Sequence, residues 1–156
     1  MAVTGWIEAS WIAQTLRGSG DVYMAVNAAH ILGIGLLAGA IIPLDLRLLG
    51  LGGKYPLQVL APFLSRCAAF GLALAMLTGA ALWAVRPADY LGNAAFGWKM
   101  ALLAAALIIA GLQHLSPGWR GVVSEGRVSW PARMMAGASL ACWLAVLLAG
   151  RWIGFL

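Results

Sequence analysis

The chain has only two histidines, and each lies inside a long apolar stretch. Hydrocarbon cannot solvate an ionisable side chain, so His30 and His114 are functional candidates by default. Imidazole is the usual protein ligand of haem iron and a common ligand of copper. Two such residues in a small membrane bundle make redox-cofactor or metal binding the first hypothesis, with His30 and His114 as candidate metal ligands. There is no nucleophile–base arrangement, phosphate loop or zinc signature, so no catalytic residue is named and a redox role is the enzymatic reading left open.

The elements that would carry these residues follow from composition. The chain has 156 residues, 63% of them hydrophobic and 10% charged, with a mean hydropathy of +0.90. That excludes an ordinary soluble domain and the disordered class, and fits a single all-α transmembrane domain over residues 1–156. The net charge of +5 does not suggest nucleic acid, because the ten Lys and Arg are scattered singly between apolar runs. They read as anchors to lipid headgroups. Trp6, Trp11, Trp83, Trp98, Trp119, Trp130 and Trp152 lie near expected helix ends, where indoles favour the membrane boundary; Trp143 lies inside a span. Cys67 and Cys142 read as buried free thiols.

Residues 5–17 place Trp6, Ile7, Trp11, Ile12 and Leu16 at helical spacing and predict a short amphipathic interfacial helix, broken by the Gly-Ser-Gly-Asp run at 18–21. Four spans are predicted at about 22–44, 67–85, 96–115 and 131–150, each near the ~20 residues that cross ~30 Å of hydrocarbon. Residues 50–57, 86–93 and 116–131 read as loops, the last of which holds Glu125, and Asp45 and Arg47 fall in the connection just past the end of span one. Arg47, Lys54, Arg66, Arg120, Arg127 and Arg133 flank one face, and Arg17, Arg86, Lys99 and Arg151 the other. Six cations against four predicts loops one and three in the cytoplasm and both termini outside, which is the periplasm if the membrane is the bacterial inner one that the resemblance below implies. Gly35 and Gly39, and the stripe Gly71, Ala75 and Gly79, are expected to pack helices closely.

His30 stands about 12 Å into span one and His114 near the far end of span three, so the imidazoles are expected to differ in depth by roughly 10–15 Å. One haem held by both would need strong tilt. The alternatives are separate haems with a methionine as sixth ligand (Met76 for His30, Met134 or Met135 for His114), histidines paired between subunits of a homo-oligomer, or copper bound by His and Met. Each histidine could instead be an interhelical hydrogen-bonding residue. Asn93, Lys99 and Arg151, near the His30 side, could hold an anionic group such as a haem propionate or a lipid headgroup; ordinary anchoring would look the same. Membrane lipid is the expected surrounding, with a redox partner or quinone as candidate partners. No pair of carboxylates is embedded in the spans, which disfavours proton-coupled transport.

The runs HILGIGLLAG (30–39) and DLRLLGL (45–51), the spacing of Tyr90, Asn93, Phe96 and Lys99, His114 at the end of span three, and Ser139, Trp143, Gly150 and Arg151 together resemble an uncharacterised group of short bacterial inner-membrane proteins carrying a domain of unknown function. The resemblance covers nearly the whole chain. More distantly, the chain looks like the CopD copper-resistance proteins and membrane b-type cytochromes, four-helix cores with histidines in the spans. That likeness implies haem b or copper, and electron transfer or metal handling. The chain departs from the four-histidine, two-haem cytochrome pattern in having two histidines only.

Overall fold

The computed structural model describes residues 2–53 and 55–155. Four helices are long and apolar enough to cross a membrane, so the protein is a multi-pass helical membrane protein. Ahead of them stand two short helices, α1 (Ala2–Glu8) and α2 (Trp11–Gly18). The spans are α3 (Gly20–Leu48), α4 (Leu57–Val85), α6 (Ala94–Leu115) and α8 (Trp130–Trp152). Helix α5 (Pro87–Leu91) sits between the second and third spans, α7 (Pro117–Glu125) between the third and fourth, and a 3-10 turn (Ile153–Phe155) ends the described chain.

The four spans stand where apolar runs place them, but their limits and flanks differ from the sequence expectation. The interfacial helix is two helices, because Ser10 starts a new one: its side chain accepts from Ala13 N–H and caps α2. Helix α2 buries Ala13 and Leu16 and packs against α3 and α4, so it is docked on the bundle. Ser19 caps α3 in the same way, and α3 runs on through Asp45 and Arg47. Helix α4 begins ten residues before the expected start and contains Arg66. Helix α8 contains Arg133. Helices outlast the apolar run because a charged residue near the end can reach the interface along its own stem. Residues 116–131, expected as loop, contain α7: Pro117 occupies its first turn, Ser116 caps its start, and Gly126 ends it in the left-handed conformation at φ 69°. Residues 50–53 are non-helical, with Gly50, Gly52 and Gly53 all at positive φ. Lys54, counted above among the cations, lies outside the described residues.

Helices α3 and α4 form one antiparallel hairpin and α6 and α8 another, joined through α3 against α8. Helices α4 and α6 do not pack along each other. The α3/α4 contact is the closest: a Cβ on Gly33 would lie 2.7 Å from the Ala75 nitrogen, and one on Gly71 2.5 Å from the Leu37 nitrogen. The expected small-residue stripe of α4 is therefore correct, but its partner in α3 is Gly33. Gly35 and Gly39 face open space and take no part. Leu37, Ile41, Leu44 and Leu48 of α3, with Ala136 and Trp143 of α8, make the shared core.

Candidate functional site

The histidines occupy opposite ends of the bundle, and both meet α4. At one end, α3 carries His30 about ten residues, or roughly 15 Å, from its start. The Gly33/Gly71 approach holds α3 and α4 so close that the His30 ring rests on Gly79, where a Cβ would stand 2.9 Å from its Cε1. His30 Nδ1 lies 3.0 Å from Thr78 Oγ1. The Thr78 hydroxyl spends its own proton on the Leu74 carbonyl at 2.6 Å. It must therefore accept from His30 Nδ1–H, which leaves Nε2 as the lone-pair nitrogen. That is the tautomer a metal-ligating histidine presents, with its second nitrogen oriented by a protein acceptor.

Lys99 is the charged group whose field reaches this imidazole. Its stem enters from α6 and lies along Gly150 of α8, with Cε 3.6 Å from where a Cβ would stand. It is partly buried, and among the described residues no hydrogen bond or ion pair satisfies its ammonium. His30, Thr78 with Gly79, Lys99 and Gly150 thus bring one or more residues of every span to one end of the bundle.

The other residues expected at this site are placed differently. Asn93 caps α6, its Oδ1 accepting from Ala95 N–H at 2.9 Å and Phe96 N–H at 3.4 Å, while Nδ2 donates to the Ile153 carbonyl at 3.5 Å. It ties the start of α6 to the end of α8. Arg151 lies over the Phe155 ring, 4.9 Å from its centre. Met76 is 50% exposed and Met134 57%, which leaves both thioethers at the bundle surface.

At the opposite end, His114 Nδ1 donates to the Ala110 carbonyl at 2.8 Å, and its Nε2 accepts from Ser65 Oγ at 3.2 Å. A carbonyl can only accept, so Nδ1 carries a proton, and in the neutral ring Nε2 is then the acceptor. The ring stacks at 44° on Trp119, centre to centre 4.4 Å. Ser116 positions that indole by accepting from Trp119 N–H at 3.1 Å. His114 thereby joins α4, α6 and α7, with both nitrogens committed. Ser65 and Thr78 are thirteen residues apart on α4, so the two imidazoles are separated by about 20 Å along the bundle. They do not meet in one chain.

Thr78 and Ser65 were absent from the sequence-derived set. They are the only hydroxyl residues of α4. A third polar group also emerges: Asp45, expected in a loop, is inside α3 and 2% exposed, facing Ser139 of α8. It is not paired with Arg47; the one ion pair among the described residues joins Arg127 to Glu125 on the surface.

A family model matches residues 3–156, and the match brings no link to CopD proteins or b-type cytochromes. No curated protein and no solved structure matches the chain. Because the family match spans both short N-terminal helices and all four spans, the protein belongs to the family of unknown function DUF6644.

Proposed function

We propose that the protein binds haem b at its His30 end, with His30 Nε2 as an axial ligand and the Lys99 ammonium as the counter-charge for a propionate, in electron transfer or small-ligand sensing. The tautomer of His30 carries this reading. Thr78 holds Nδ1–H, so the basic nitrogen is the one left to meet iron. Lys99 supports it, since a partly buried ammonium without a partner favours an anion beside it. Haem would supply one-electron iron chemistry; the chain's part is to orient the imidazole, neutralise a carboxylate and exclude water. Space for a flat ring is absent between α3 and α4, whose backbones touch, and is best found on the side where α4 and α6 are not packed together. A second copy of the chain is the proposed source of the sixth ligand, which makes the protein a homo-oligomer. His114 is assigned the role of a clasp, because both its nitrogens are in use.

Copper is the second reading. Haem iron needs only one or two protein ligands, which one available imidazole nitrogen per chain can supply, and this is the ground for placing haem first. The six-to-four cation distribution supports a His30 end that faces the periplasm of a bacterial inner membrane.

Oxidised and dithionite-reduced absorption spectra of the protein purified in mild detergent test the proposal. A Soret band with sharp reduced α and β bands is expected, lost in His30→Gly and restored by added imidazole. A colourless protein from haem-replete cells removes the haem reading. Copper in that protein would support the second reading, and its absence a purely structural or accessory role.

A further inference from the structure

Four polar atoms on three different spans are buried without a hydrogen-bond partner between the middle of the bundle and its His114 end: Asp45 Oδ2, Arg47 Nε, Gln113 Oε1 and, near mid-bundle, Trp143 Nε1. Asp45 is 2% exposed, Gln113 5% and Trp143 5%. A carboxyl, a guanidinium N–H, an amide oxygen and an indole N–H each carry a substantial penalty when desolvated alone, which points to something that binds in this part of the bundle.

Their placement gives an order. Ser139 and Trp143 are one turn apart on the buried side of α8, and Asp45 faces Ser139. Helices α6 and α8 run antiparallel, with Gly118, at the start of α7 just past α6, beside Ser129 and Ala132 at one end and Lys99 beside Gly150 at the other. That register sets Gln113 about one helical turn from Ser139, on the side nearer the bundle end. Its side chain leans toward the start of α6, and so toward Ser139. One further turn outward, Ser116 donates to the Gln113 carbonyl at 2.7 Å. Ser116 also lines an open cavity of about 680 Å³, together with Arg127, Ser129, Ala132 and Met135.

We propose that Asp45 is a proton-binding carboxyl, loaded from the His114 end through this cavity and past Gln113 and Ser139. The step is the ionisation of one carboxylic acid: the Oδ–H bond breaks, both its electrons stay on oxygen, and the proton leaves to water that enters from the cavity. Among the described residues no cation is paired with Asp45. Arg47, two residues along α3, donates Nη2 to the Tyr55 carbonyl at 3.2 Å. Arg66 of α4 and Arg133 of α8 are the other span cations at this end, and neither forms an ion pair among the described residues. Cys67 of α4 and Cys142 of α8 are the other titratable side chains of the packed spans away from the His30 end, where Asp21, Tyr23, His30 and Arg151 stand. Nothing in this proposal depends on haem at His30.

Infrared spectroscopy of the bilayer-reconstituted protein tests it. A carbonyl stretch from a protonated carboxylic acid is expected near neutral pH, lost as the pH rises, absent in Asp45→Asn, shifted in Asp45→Glu and shifted less in Ser139→Ala. The same band in wild type and Asp45→Asn, or no such band in wild type, overturns the proposal. If Asp45→Asn fails to fold, dicyclohexylcarbodiimide, which adds to protonated carboxyls, replaces it. Labelling of Asp45 in the wild-type protein, read by mass spectrometry and falling at high pH, supports the proton site. No label at Asp45 overturns it, as does protection by Na⁺ at constant pH, which would assign the site to a metal cation.

Discussion

The two histidine ends of the bundle are built from the same parts and use them differently. Each imidazole donates Nδ1–H to an acceptor and meets the one hydroxyl that α4 offers at its level, Thr78 at one end and Ser65 at the other. At the His114 end the hydroxyl takes Nε2 and an indole covers the ring, so nothing is left to bind with. At the His30 end the hydroxyl takes Nδ1 itself, Nε2 is spared, and an unpartnered ammonium stands nearby. On the proposed reading, which nitrogen the hydroxyl takes, not the presence of a histidine in the membrane, is what would separate a ligand from a clasp.

The contrast can be broken most severely through the backbone contact that sets the His30 end. In Gly71→Val the added carbons meet the Leu37 nitrogen and Gly33 carbonyl, which cannot move aside singly. Overpacking of this kind costs about 1–3 kcal/mol or more. We expect loss of folded protein in detergent, measured by size-exclusion chromatography, while Gly39→Val, in open space, accumulates as wild type. Next comes the charge. Lys99→Met should lower haem affinity by roughly 10- to 100-fold, the worth of one charge-assisted hydrogen bond at about 1.5–3 kcal/mol, as read by haem titration. Arg127→Gln, which breaks only the exposed pair with Glu125, should leave affinity unchanged.

The hydroxyls sharpen the comparison further. Thr78→Val removes the acceptor of His30 Nδ1–H and should shift the iron midpoint potential in a redox titration. Ser65→Ala should leave that potential alone and lower stability by about 1 kcal/mol, the net value of an ordinary hydrogen bond, in thermal unfolding. The smallest effect is expected at Asn93→Ala. Loss of the α6 cap costs about 1 kcal/mol with no spectral change, which separates a helix cap from a cofactor contact.

Much of this architecture was legible in the sequence, for a physical reason. A span must be apolar over a fixed length, and that requirement alone located all four. Their ends were not legible, because Asp45, Arg66 and Arg133 look like loop residues yet lie within helices that outlast the apolar run. Helix α7 was hidden by its polar composition; only Ser116 and Pro117, a cap followed by a first-turn proline, announced it. The spacing of Gly35 and Gly39 suggested a contact that Gly33 makes, since spacing does not say which side of a helix faces its neighbour. His30 and Lys99 were both read as site residues and do share one end. The partner of His30 was readable only by asking which residue of α4 could accept a hydrogen bond, a question Thr78 and Ser65 answer. The burial of Asp45 could not be read, because it depends on α8 lying against α3.

Haem content per chain in His30→Ala and His114→Ala, each purified as folded protein and assayed as the pyridine haemochrome, tests the division between ligand and clasp most directly. The expected result is loss of haem from His30→Ala and near wild-type haem in His114→Ala, the latter less stable to heat. Haem retained in His30→Ala, or lost equally from a folded His114→Ala, would contradict it.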